Sequence, residues 1–100
     1  MLKFIIKYAP EVLEEIQKNV SYYNQVLPGL GNRFKQNLLG AIALLKTNPN
    51  YNTFRYDNVR FAVVKKFPVA AHYTVDGNII KIQAVLAFKQ DDKTNWKTRF

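Results

Sequence analysis

The chain carries one imidazole, His72, and no cysteine in its 100 residues. That inventory excludes a thiolate metal site and leaves zinc short of ligands. The acids are no better placed for catalysis: Glu11, Glu14 and Glu15 crowd one stretch, Asp57 and Asp76 fall at turn signals, and Asp91 and Asp92 stand side by side. Two adjacent carboxylates with no third acid nearby make a poor two-metal centre and read as a solvated loop. A Gly-rich phosphate loop, a GxSxG elbow and a histidine pair are all missing. Chemistry is therefore left to the bases. Arg55, Arg60, Lys65 and Lys66 lie close together in the middle of the chain, and Lys89, Lys93, Lys97 and Arg99 gather at its end. Two or three such cations converging beside a proton donor stabilise a phosphorane-like transition state without metal; dispersed, they bind a polyanion or solvate the surface. His72 titrates near neutral pH and is the one candidate donor or acceptor. Trp96, with Phe88 and Phe100, offers rings on which bases stack or an apolar patch that fixes the tail or receives a partner.

The overall charge agrees with a polyanionic or acidic partner: 15 Lys and Arg against 7 Asp and Glu give +8. A chain of this length builds one core, so a single domain over residues 1–100 is expected. Lys3 and Lys7 interrupt the apolar start and no later stretch is long enough to span a bilayer, so a cytoplasmic location without membrane contact is expected.

The elements that position these residues follow from periodicity. Residues 2 to 8 alternate Leu2, Phe4, Ile6 and Tyr8 with Lys3, Ile5 and Lys7, the pattern of a strand with one buried face. Pro10 suits a first helical turn, and the acids after it suit the positive end of a helix. Leu13, Ile16, Val20, Tyr23 and Leu27 then mark one stripe of a helix running to Val26. Pro28, Gly29 and Gly31 break it. Leu30, Phe34, Leu38, Ile42 and Leu45 mark a second helix, stopped by Asn48 and Pro49. Gly40 inside it costs about 1 kcal/mol relative to alanine, offset if another element packs closely there. Residues 53 to 67 read as strands around a turn at Asp57 and Asn58. Residues 69–75 and 78–86 flank Asp76-Gly77, read as the two central residues of a hairpin turn. That register sets Tyr73 opposite Ile80, Val69 opposite Ala84 and His72 opposite Lys81, whose charge lowers the histidine pKa. The expected fold is α+β: a mainly antiparallel sheet with an N-terminal strand, a helical hairpin on one face and an open polar face on the other.

Taken in order, the N-terminal strand, two helices ending at Asn-Pro, Arg60, Phe67-Pro68, Tyr73, the Asp76-Gly77 turn, Ile80-Lys81-Ile82, Ala84-Val85 and Trp96 to Arg99 resemble the RelE/ParE superfamily of type II toxins over almost the whole chain. The resemblance implies a growth-inhibiting toxin neutralised by a cognate antitoxin in a hetero-oligomer. RelE-like members cut mRNA in the ribosome from basic and aromatic residues on the sheet face and tail; ParE-like members poison DNA gyrase. Alignment by eye sets Ala70 where RelE-like nucleases commonly carry arginine, Ala87 near a late-strand histidine position and Gln90 near the following arginine. This depletion favours the ParE-like branch. If the chain is a nuclease, the substitutes are His72, Lys66 and Lys81. The expected target-binding residues are Arg60, Lys65, Lys66, Lys89, Trp96, Lys97 and Arg99. No metal or cofactor is expected. A basic nucleic-acid-binding module without toxicity is the remaining alternative; its affinity would fall steeply with salt.

Overall fold

The computed structural model describes residues 3–88. Its elements are β1 (Ile5–Tyr8), α1 (Pro10–Val26), α2 (Leu30–Leu45), β2 (Phe54–Tyr56), β3 (Val59–Val63), β4 (Val69–Asp76) and β5 (Ile79–Ala87). They form a five-stranded sheet in the order β1-β5-β4-β3-β2. β1 runs parallel to β5, and the other pairs are antiparallel. This is the expected α+β architecture, with α1 packed on β5 and α2 on β3. Among the described residues no helix is long and apolar enough to cross a membrane.

Helix boundaries follow local chemistry. Pro10 occupies the first turn of α1, where its missing N–H costs nothing, and Gly29 starts α2 in the left-handed region at φ 89°. On α2 the predicted stripe holds: Phe34, Leu38, Ile42 and Leu45 are buried. On α1 it needs correction. Val12 and Val20 are buried and Ile16 and Tyr23 pack on the core, whereas Leu13 is 70% exposed and Leu27 points outward. The buried run is 12, 16, 20 and 23, a single helical stripe that Leu13 only borders.

The glycine expectation also moves. Among the described residues a Cβ on Gly40 would meet nothing within 4 Å, so no described element packs closely against it. The close approach is at Gly31, where a Cβ would collide with the Val20 carbonyl oxygen and lie 2.7 Å from Asn24 Cγ. Asn24 completes the corner, its Oδ1 accepting the Gly31 N–H at 2.8 Å.

The β4–β5 hairpin turns one residue later than predicted. Asp76 pairs with Ile79, so Gly77 and Asn78 are the central residues, and only Gly77 takes a positive φ, at 60°. This is the pattern of a type II′ turn, with glycine first. A register break follows: Tyr73 pairs with Ile82 but His72 with Ala84, leaving Gln83 as the extra residue of a bulge. Past the bulge every side chain of β5 exchanges faces. Ala84, expected in the core, turns to the outer face, and Val85 takes the inward position. Lys81 pairs with Thr74, not with His72. On the β1 side, the Val85 N–H donates to Glu15 Oε1 at 3.0 Å, so an acid that the sequence assigns to the start of α1 closes part of the β5 edge.

The outer face is accordingly not the open polar surface expected. Ala70, His72, Ala84 and Leu86 are buried there, with Tyr56 packed on Ala84 and Leu86. The bulge sets Ala84 and Leu86 of β5 on the side of β4 that carries Ala70 and His72.

Candidate functional site

The structure does not bring the three candidate nuclease residues together. His72 is 1% exposed in the middle of β4, its ring 4.0 Å from that of Phe61 and its Nδ1 3.1 Å from the Tyr56 hydroxyl oxygen. Burial lowers its pKa to about 4, so the imidazole is neutral at physiological pH. The direction agrees with the sequence reading, but the cause is desolvation and not repulsion by Lys81. Lys81 lies near the β4–β5 turn, its Nζ 3.9 Å from Asp76 Oδ2. Lys66 lies beyond the other end of β4, exposed in the β3–β4 loop at φ 71°.

Of the expected target-binding cations, Lys65 and Lys66 stand exposed in that loop, which Asn37 ties to α2 by donating to the Lys65 carbonyl at 3.0 Å. Arg60 is engaged within the fold. It shares the inward face with Tyr73 and donates to the Asn52 and Asn50 carbonyls. Its guanidinium lies 3.9 Å from the centre of the Phe54 ring. Lys89, Trp96, Lys97 and Arg99 lie outside the described residues.

Arg60 and Tyr73 together hold the segment between α2 and β2. The buried Tyr73 hydroxyl donates to the Pro49 carbonyl at 2.7 Å and accepts from Asn52 Nδ2 at 3.1 Å. Burial raises the phenol pKa and keeps it a donor. Removing that hydroxyl in Tyr73→Phe is expected to lower stability by about 1–2 kcal/mol, because the buried Pro49 carbonyl loses its partner. Urea unfolding measures the loss directly, and an unchanged midpoint would contradict the clamp.

What this clamp shapes is a cleft of about 310 Å³ between the C-terminal half of α2, the following loop and β3, lined by Ala41, Leu44, Leu45, Ala62 and Val63 and, from the loop, by Thr47, Asn48, Tyr51 and Asn52. Leu44 and Tyr51 are 71% and 79% exposed, an unusual state for large apolar side chains grouped in one place. Beside it runs an unpaired edge. β2 pairs with β3 only at Phe54 with Arg60 and Tyr56 with Val59, so among the described residues no strand covers the outward edge of β3 from Phe61 to Val63. A largely apolar cleft next to a strand edge that no described strand covers suits an extended or helical segment of another chain. Leu44 and Val63 lie in apolar runs, residues 38–45 (LLGAIALL) and β3, while Tyr51 stands in the polar loop between α2 and β2 with no local signal.

No family model matches this chain, and no curated protein sequence matches it. A solved structure does. A protein described as the chromosomal ParDE toxin-antitoxin system from P. aeruginosa superposes with a TM-score of 0.72 over 83% of this chain and 94% of that chain, at 16% identity. The chain therefore has the ParE/RelE-like fold. At that identity the likeness concerns architecture, and function has to be argued from the surface.

Proposed function

We propose that this chain is the toxin of a type II toxin–antitoxin pair, acting in the cytoplasm by binding and not by cutting RNA. The observation that carries the proposal is the superposition on a ParDE protein across nearly the whole of both chains. The cleft and open β3 edge add a place where an antitoxin segment would bury apolar side chains and pair its backbone. The ParE-like mode is supported by the dispersal of His72, Lys66 and Lys81 among the described residues: a buried neutral imidazole is a poor acid for phosphodiester cleavage. DNA gyrase is the target that this mode implies. Of the expected target-binding cations, Lys65 and Lys66 are the described ones that stand exposed, in the loop between β3 and β4.

Purified protein in stoichiometric excess is expected to inhibit gyrase supercoiling. Unchanged supercoiling would overturn gyrase as target, and new 5′ ends in translated messages after induction would replace binding by cleavage. Expression is expected to arrest growth, with rescue by the product of an adjacent reading frame. Val63→Glu places a charge at the cleft and is expected to weaken antitoxin binding thirtyfold or more, about 2 kcal/mol, while leaving arrest intact. Isothermal titration measures it; an unaltered affinity would remove the cleft from the interface.

A further inference from the structure

The charges of the fold are sorted by position. β3 runs from Val59 to Val63 and β4 returns from Val69 to Asp76, so Lys65 and Lys66 cap one end of this strand pair while Asp57 and Asp76 sit at the turns of the other end. Glu11, Glu14 and Glu15 belong to the first half of α1, on the β5 side of the sheet, where Glu15 holds the Val85 N–H. The sequence has no Asp or Glu from Ile16 to Tyr56, nor from Asn58 to Val75. The first turns of α2 meet the lysine loop: Asn37 donates to the Lys65 carbonyl, and the Phe34 ring centre lies 5.3 Å from that of Phe67. Arg33 stands one turn before Asn37 and so on the side of α2 that borders the loop. Among the described residues no acid pairs with Arg33, Lys65 or Lys66.

The loop is held in place. The Val64 N–H donates to the Val69 carbonyl at 2.9 Å and the Phe67 N–H to the Val64 carbonyl at 3.1 Å, while the Phe67 ring packs on Tyr23 and Phe34. Lys66 keeps a left-handed backbone at φ 71°, a conformation that glycine takes without strain. The backbone alone gives no reason for a second lysine there.

The side chains around these cations point to the partner. The exposed residues in the first two turns of α2 are Asn32, Arg33, Lys35 and Gln36, and with Lys65 and Lys66 they are all amides or cations. Single-stranded nucleic acid is held by exposed rings, and this set has none. A lipid surface gains from apolar side chains set among the cations, and this set has none of those either. Cations and amides on a fixed helix and a tied loop match the sugar–phosphate backbone of a duplex, whose charges are evenly spaced and rigid.

We infer that the Arg33 side of α2 and the Lys65-Lys66 loop together bind the phosphate backbone of duplex DNA without regard to sequence. The choice of DNA over duplex RNA rests on the gyrase reading, which sets the chain beside DNA. On this account the toxin touches the DNA as well as the enzyme acting on it.

The test is fluorescence anisotropy of a short labelled DNA duplex of arbitrary sequence, titrated with the full-length chain over a range of salt. Lys65→Gln with Lys66→Gln is expected to weaken binding roughly tenfold or more at 0.1 M salt and to flatten the plot of log affinity against log salt by about 1.8, two phosphate contacts at about 0.9 each. Arg33→Gln is expected to flatten it by about 0.9. Lys3→Gln with Lys7→Gln removes the same net charge from the far edge of the sheet and is expected to leave affinity within about twofold. Equal losses in the two double variants would show attraction by overall charge alone and overturn the site. Lys66→Gly separates binding from folding: it is expected to weaken DNA binding without lowering the melting temperature. A lower melting temperature with unchanged affinity would make Lys66 a structural residue and overturn its role. Tighter binding to a matching RNA duplex, to single-stranded DNA, to polyglutamate or to phosphatidylglycerol vesicles would give the surface another partner and overturn the proposal. If wild type inhibits supercoiling yet fails to bind duplex DNA, this inference falls and the gyrase reading stands. If it binds DNA through these residues and leaves supercoiling unchanged, the gyrase reading falls and the DNA surface stands.

Discussion

Gly31→Ala is expected to lower the stability of the protein by about 3 kcal/mol, the upper range for forcing extra atoms into a packed contact. The added methyl would occupy the space of the Val20 carbonyl oxygen, and a backbone atom in a helix cannot swing aside as a side-chain tip can. Relief would require α2 to move away from α1, breaking the hydrogen bond from the Gly31 N–H to Asn24 and loosening the ring cluster of Tyr23, Phe34 and Phe67, whose centres lie 4.8 to 5.4 Å apart. The same substitution at Gly40 has open space and the opposite sign. Urea midpoints of the two variants measured side by side check the pair. Equal shifts would show that the helix corner is looser than the geometry requires.

The second large effect is on pH. His72 has a folded pKa of about 4 against an ordinary value of 6.5, lowered because burial disfavours the charged ring. Above pH 6.5 the imidazole is neutral in both folded and unfolded chains, and its contribution to stability is constant. Between 6.5 and about 4 the unfolded chain binds a proton that the folded chain refuses, so stability falls as the medium is acidified. The loss over that window is about 3 kcal/mol from this group alone. Because His72 is the only histidine, its ring resonances can be followed by NMR without ambiguity. A titration midpoint near 4 in the folded protein is expected. One near 6.5 would mean that the ring is hydrated and would reopen its use as an acid on the sheet surface.

Both effects bear on function, since they concern the frame that holds the cleft. The ring cluster packs α2 on the sheet, and His72 with Tyr56 and Phe61 lies on the outer side of the same strands, whose edge at Phe61 to Val63 no described strand covers. A rigid cleft would leave little ordering to oppose binding of the partner proposed for it.

What the sequence determined by itself was local. Pro10, the Pro28-Gly29 break and Asn48-Pro49 bound the two helices, and alternation marks the strands, because these signals act through the residue's own backbone and its neighbours within a turn. The α2 stripe and the turn at Asp57 and Asn58 were legible for the same reason, and the ordered motifs were enough to point to the RelE/ParE fold. Tertiary structure decided the rest. The bulge at Gln83 reversed the faces of Ala84 and Val85, a change that an alternating pattern cannot announce because both residues are apolar. Whether Gly31 or Gly40 was the packed glycine depended on where Val20 and Asn24 came to lie. Arg60, read as a surface cation, found its partners in a loop before it in the chain, and His72 became a core residue because Phe61 and Tyr56 arrived beside it. Each of these depends on contacts between residues far apart in the chain, made only when the sheet and helices close on one another.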